Sequence, residues 1–239
     1  MSATATPGPL IGRGRSADVY DVGGGRVLRR YRYPVDVQPE ALIMRHLHQA
    51  GYPVPVVYDA DGSDLVMERL DGTDMLAALV RRPWTVRQHA RMLAGLHDRL
   101  HEIAAPAGWN PGRGDRVVHL DLHPANVMLT SRGPVVIDWV NAQSGTPGAD
   151  VAMAYLIMTT SDLDLVPVWL RTAALWLRHV LVREFLQTVR DEPWPHIAVA
   201  AEARIADRNT RPSEVPRLHR AVQHARAHHA VPEEPRSSS

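Results

Sequence analysis

Apolar and polar positions along the chain change rhythm at Asp71-Gly72. Before that point, Leu10 to Tyr31 falls into short runs broken by glycine: Leu10-Ile-Gly12-Arg-Gly14, then Ala17-Asp-Val-Tyr-Asp-Val22, then Gly23-Gly24-Gly25, then Arg26-Val-Leu-Arg-Arg-Tyr31. Such runs predict strands, and a triple glycine between two apolar runs predicts a hairpin. Pro39 opens a helix from Glu40 that stops at Gly51, following the preference for proline at a helix start and glycine past its end. Val54 to Tyr58 and Asp64 to Met67 are further strands. Three strands, a helix and two strands make a small sheet-rich unit.

After Gly72 the spacing lengthens to three or four. Thr85 is placed to cap a helix whose apolar stripe runs through Val86, Ala90, Leu93, Leu96, Leu100 and Ile103. Val117 to Leu120 and Val135 to Ile137 are short apolar runs, and from Asp150 onward the pattern is helical. Leu165 to Val189 is the longest such stretch; Pro193, Pro195, Pro212 and Pro216 punctuate those beyond. Trp169 and Trp176, at helical spacing, are expected in the core. His224 and His228 lie one helical turn apart and are expected to be solvated rather than to bind metal. Residues 1–9 and 231–239, rich in proline, serine and charge, are expected to be poorly ordered tails.

At 239 residues and 45% hydrophobic content the chain can bury a substantial core. It has no cysteine, which excludes disulfides, thiolate metal sites and a cysteine nucleophile and agrees with a cytoplasmic protein. All 27 basic residues are arginine, against 26 Asp and Glu, for a formal charge of +1. The absence of lysine excludes a Walker A loop and Schiff-base chemistry. Near-neutral charge without a basic run gives no electrostatic case for nucleic acid. No uncharged stretch reaches the roughly 18 residues of a membrane span.

The segment His119-Leu-Asp121-Leu-His123-Pro-Ala-Asn126, followed by Val136-Ile-Asp138-Trp139, sets one acid ahead of an amide and a second acid beyond it. Phosphoryl transfer from a nucleotide needs such a set: one carboxylate to orient the acceptor hydroxyl, and an amide oxygen and another carboxylate to hold Mg²⁺. Asp121 suits the first role, Asn126 and Asp138 the others. These residues resemble the catalytic core of the aminoglycoside phosphotransferase and choline kinase family, with Leu120 and Trp139 standing where protein kinases carry the Arg of His-Arg-Asp and the Phe of Asp-Phe-Gly.

The resemblance implies an α+β, bilobal protein-kinase-like fold, with a small β-rich N-lobe over residues 10–70 and a larger, mainly helical C-lobe over 71–230. It implies ATP and Mg²⁺ as cofactors and a small-molecule hydroxyl as acceptor. Gly12 and Gly14 then belong to a phosphate-covering loop; a dinucleotide fingerprint would instead need a helix to begin there. Arg29, or its neighbour Arg30, stands where the family's relatives carry a strand lysine that pairs with a helix acid, here Glu40. Met67 to Gly72 resembles the inter-lobe connector, where backbone at Glu68 and Leu70 would meet the adenine edge; a plain strand exit explains it nearly as well. Gly145-Thr-Pro-Gly-Ala-Asp150 resembles the family's Gly-x-Pro-x-x-Asp, which implies that Asp150 caps a helix and ties back to the catalytic loop. His119 is expected to orient that loop, and His123 to be structural or near the substrate.

Two other classes share these residues. Arg29 in place of lysine suits a nucleotide-binding regulator with little transfer activity. His119, Asp121 and His123 alternate, so on a strand they would face one side and could ligate zinc as a hydrolase; Pro124 and the unexplained Asn126 and Asp138 speak against it. The acceptor stays open. From Val151 on, ten Asp or Glu against eleven Arg give no acidic pocket for a polycationic aminoglycoside, and no aromatic cage for choline is legible.

Overall fold

A computed structural model of the chain describes residues 7–14, 16–110, 112–162, 166–207 and 210–229. The smaller lobe is a five-stranded antiparallel sheet in the order β1-β2-β3-β5-β4, built from β1 (Leu10–Arg13), β2 (Ala17–Gly23), β3 (Arg26–Tyr31), β4 (Val57–Asp61) and β5 (Asp64–Glu68). Its one helix, α1 (Gln38–Gln49), lies between β3 and β4 in sequence and buries Ala41, Ile43, Met44 and Leu47. Pro39 sits in its first turn, and Gly51 beyond its end has φ 75°. The triple glycine makes the β2–β3 turn, with φ of 76°, 61° and 71° that only glycine adopts cheaply.

The larger lobe starts with β6 (Thr73–Asp74), α2 (Met75–Arg81) and α3 (Val86–His101). Two short antiparallel sheets follow: β7 (Arg116–Val118) pairs with β10 (Gln143–Gly145), and β6 pairs with β8 (Val127–Thr130), which pairs with β9 (Gly133–Val136). Helices α4 (Pro147–Thr160), α5 (Arg171–Thr188), α6 (Ile197–Ala206) and α7 (Val215–His228) complete it. Buried positions run almost the whole way round α4, as expected of a helix enclosed by neighbours. No described helix is long and apolar enough to cross a membrane.

Several expectations need correction. The strand expected from Val54 begins at Val57, because Pro53 and Pro55 lack the N–H a ladder uses. Thr85 precedes α3, but its hydroxyl donates to Arg82 O, so no side chain caps that end. Ile103 lies past the end of α3, half-buried, where its carbonyl accepts from Val117 N. The longest helix starts at Arg171, not Leu165, which is outside the described residues. Trp169 and Trp176 are 79% and 63% exposed, because the 3-10 turn Val168–Leu170 and the first turns of α5 lie beyond the core that Leu181, Val182 and Phe185 reach. Of the expected tails, 1–6 and 230–239 are outside the described residues, while Pro9 is tied down, its carbonyl accepting from Asp21 N. His224 and His228 are exposed, with His228 Nδ1 on His224 O.

Gly72 fixes the passage from the first sheet to β6. It has φ 96°, and a Cβ there would meet Leu129 O at 2.0 Å. Gly72→Ala is expected to lower unfolding free energy by about 2 kcal/mol or more, from positive-φ strain and displacement of β8; urea denaturation measures it, and a loss under about 0.5 kcal/mol would contradict the packing.

Candidate functional site

β7 ends at Val118 and the chain turns at once. Leu120 takes left-handed backbone, φ 60°, which costs a non-glycine residue roughly 1–2 kcal/mol. Asp150, in the first turn of α4, holds it there: Oδ1 accepts from Leu120 N at 2.6 Å and Oδ2 from His119 N at 3.1 Å. The sequence placed Asp150 as a helix cap, but α4 begins at Pro147 with Thr146 as its N-cap, and the Asp150 carboxylate turns to the loop instead. There it meets two backbone donors that would otherwise be buried without a partner. Burial alone would raise its pKa; the facing imidazoles of His101 and His97 outweigh that and keep it well below the usual carboxylate range.

His119 is fully buried and joins the two loops of the site. Asp121 N donates to its Nδ1 at 3.2 Å, so its ring proton sits on Nε2, which donates to Ile137 O at 3.1 Å. Burial lowers its pKa, keeping it neutral. His123 Nδ1 accepts from Ala125 N, and burial, reinforced by the Arg204 charge, brings its pKa down to about 4. The zinc arrangement therefore fails: Leu120 breaks the strand alternation it needs, and both nitrogens of His119 are already engaged.

Asp121 lies beside Asn126, whose Nδ2 donates to Asp121 O at 2.9 Å and Asp121 Oδ2 at 3.1 Å. Burial raises the Asp121 pKa; His119 opposes this, and the negative charge of Asp138 adds to it. Asp138 follows β9 with left-handed backbone, φ 69°. Its Oδ1 accepts from Arg29 at 2.6 Å, and its side chain is 36% exposed. With its amide nitrogen turned to Asp121, Asn126 presents its oxygen elsewhere. An amide oxygen and a carboxylate, near a second carboxylate that repels the first, form the hard oxygen set that Mg²⁺ takes. The residues present fit such an ion.

The choice between the two strand arginines is resolved by the pleat. Arg29 points inward, donating to Glu40 Oε1 at 3.0 Å and to Asp138, while Arg30, on the opposite face, forks onto Asp64 at 2.7 and 2.5 Å. Tyr31, which the sequence did not single out, donates its hydroxyl to Glu40 Oε2 at 2.7 Å. Burial tends to lower the Arg29 pKa, but Glu40 and Asp138 overcome it, so the guanidinium stays charged. Gly12 pairs with Val19, and Gly14 N donates to Ala17 O; β2 follows, so no helix opens as a dinucleotide fingerprint requires. At the connector, Glu68 N donates to Val56 O and its carboxylate accepts from Arg132, while Leu70 is half-buried just beyond β5. A cavity of about 930 Å³ beside Glu40 and Trp109, and one of about 510 Å³ beside Tyr155 and Trp194, are not lined by Asp121, Asn126 or Asp138.

The model of the phosphotransferase enzyme family APH matches residues 8–116 and 104–185 of this chain. The chain belongs to that family. Its fold is that of several solved kinases. A choline/ethanolamine kinase family protein from Mesorhizobium loti superposes with TM-score 0.54 at 15% identity, covering 94% of this chain and 89% of its own. Plasmodium vivax ethanolamine kinase gives 0.59 at 12%, covering 90% and 81%, and an apo thermostable mutant of aminoglycoside phosphotransferase APH(4)-Ia gives 0.58 at 15%, covering 94% of each. A probable bifunctional tRNA threonylcarbamoyladenosine biosynthesis protein from Methanoculleus marisnigri is 28% identical over 142 residues; the match spans 54% of this chain and 23% of that relative. The bilobal protein-kinase-like fold read from the sequence is thereby confirmed.

In this member of the phosphotransferase enzyme family, Asp150 decides how the segment from His119 to Asn126 sits. Asp150→Asn is expected to cost about 3 kcal/mol of unfolding free energy, because an amide cannot accept both buried N–H groups and leaves a buried imidazole without its counter-charge. Chemical denaturation measures this; a cost below about 1 kcal/mol would contradict it.

Proposed function

We propose that this protein transfers the γ-phosphate of ATP to a hydroxyl group of a small molecule. The observation that carries the proposal is the meeting of Asp121, Asn126 and Asp138 with the Arg29–Glu40 pair, side chains from both lobes. Asp121 is the catalytic residue: its carboxylate orients the acceptor hydroxyl and takes its proton as the bond to phosphorus forms. Burial lifts its proton affinity, which suits that role. Asn126 and Asp138 would hold Mg²⁺, which, when bound, neutralises charge on the phosphates. Arg29, oriented by Glu40, reaches the inner phosphates, and its planar fork serves two partners where lysine would serve as a point charge. Gly12 and Gly14 cover the phosphates, and backbone at Glu68 and Leu70 receives the adenine. The two units divide near residue 70. A cytoplasmic location agrees with a chain free of cysteine.

A second reading, a nucleotide-binding regulator with little turnover, draws on one contact. Arg29 bonds Asp138 directly at 2.6 Å, occupying a carboxylate that the transfer chemistry needs for the cation. ATP consumption over a panel of hydroxylated metabolites and antibiotics separates the readings. Transfer is expected with one or more acceptors, and Asp121→Asn is expected to lower kcat by roughly 100-fold or more with ATP affinity little changed. Equal turnover by wild type and Asp121→Asn would remove Asp121 from its role; ATP binding without turnover on any acceptor would establish the regulator. Arg29→Lys is expected to raise the KM for ATP, as the bidentate geometry is lost; an unchanged KM would show that Arg29 does not touch the nucleotide.

A further inference from the structure

Beneath the catalytic loop lies a cluster that phosphoryl transfer does not use. His97 and His101 stand one turn apart on α3, spaced as His-x-x-x-His, and both face Asp150. His97 Nδ1 is 3.7 Å and His101 Nε2 3.1 Å from Asp150 Oδ2, and these three atoms all lie within 4.8 Å of one another. The far nitrogen of each ring is already engaged: His97 Nε2 with Leu122 O at 3.2 Å, His101 Nδ1 with Asp191 Oδ2 at 2.8 Å.

Those outer bonds fix the tautomers. Leu122 O only accepts, so the His97 proton sits on Nε2 and its Nδ1 is a lone pair, while Asp191 fixes a proton on His101 Nδ1 and leaves Nε2 to face Asp150 as an N–H or as a metal ligand. The unpartnered His97 Nδ1 and the His101 Nε2 therefore both face one anionic oxygen in a space closed to solvent, the three side chains being 0%, 4% and 0% exposed. Positive charge belongs between them, either as a second proton on His101 or as a metal ion. One extra proton on His101 would satisfy that ring but leave His97 Nδ1, which is fully buried, without a hydrogen-bond partner. A single metal ion satisfies all three atoms at once. The outer partners match what metal-ligating histidines have, a carbonyl or carboxylate on the second nitrogen.

We propose that His97, His101 and Asp150 bind a divalent cation of the zinc class. Two neutral imidazoles and a carboxylate supply three of the four positions such an ion takes. Asp150 also accepts from His119 N and Leu120 N, and His97 holds Leu122 O, so the ion clamps the loop that carries Asp121 from behind. The proposal is independent of the phosphoryl-transfer reading.

The test uses the full chain carrying Asp138→Asn, which takes a metal ligand out of the phosphate site. After stripping with a chelator it is titrated with Co²⁺, followed by visible absorption, and then with Zn²⁺. One Co²⁺ per chain with the absorption of a tetrahedral site is expected, displaced by Zn²⁺, which also raises the midpoint of thermal unfolding. Adding His97→Gln is expected to abolish uptake, and adding Asp191→Asn to weaken it about 10- to 100-fold. No tight uptake, or uptake untouched by both substitutions, overturns the site. Should His97→Gln fail to fold, Asp191→Asn decides alone, and unchanged affinity there overturns the proposal.

Discussion

A single buried carboxylate sets the geometry on which the site depends. Asp150 satisfies the amides of His119 and Leu120 while facing His101 on α3, so one side chain joins two helices to the start of the loop that carries Asp121. Without it, those N–H groups would be buried and unpaired, and nothing would hold a leucine in left-handed backbone. That turn makes Asp121 leave β7 toward Asn126 instead of continuing a strand. His119 extends the constraint, receiving Asp121 N on one nitrogen and giving its other N–H to Ile137 O, next to Asp138. The two loops that carry the acids are thus joined by a neutral, buried ring, and both contain a left-handed residue, Leu120 and Asp138.

The small lobe meets this arrangement through Arg29. Charged groups that are largely buried are costly unless paired, and here each finds a partner: Arg29 with Glu40 and Asp138, Glu40 also with the Tyr31 hydroxyl. One guanidinium therefore links β3, α1 and the segment after β9. Arginine meets the two carboxylates from separate nitrogens, Nη1 to Glu40 and Nη2 to Asp138, where lysine would have to reach both from a single atom, which gives the chain's exclusive use of arginine a structural consequence at this position.

That Asp121, Asn126 and Asp138 come together was legible in the sequence, because they stand in the order and spacing that phosphoryl transfer would require. The element order of the first lobe followed from alternation and glycine, as the positive φ of Gly23, Gly24 and Gly25 bears out. Other features left no local trace. Nothing distinguishes Leu120 as left-handed, since its conformation is imposed by a carboxylate thirty residues on. Periodicity read one helix through this region but not where it starts or how far it outruns the core, so Trp169, in the turn before α5, and Trp176, in its second turn, were misplaced. Strand alternation could not choose between Arg29 and Arg30 without the position of Glu40. The His97-x-x-x-His101 spacing was visible on the core stripe of α3, but only the approach of Asp150 and Asp191 gives it meaning.

The central claim is that the chain closes around a magnesium-bound nucleotide between its two lobes. A crystal structure grown with AMP-PNP and Mg²⁺ tests it most directly. The account predicts a cation coordinated by Asn126 Oδ1 and Asp138, with Arg29 turned from Asp138 onto phosphate and Asp121 facing the terminal phosphoryl group. Nucleotide bound away from these residues, or a cation that touches neither Asn126 nor Asp138, would contradict it.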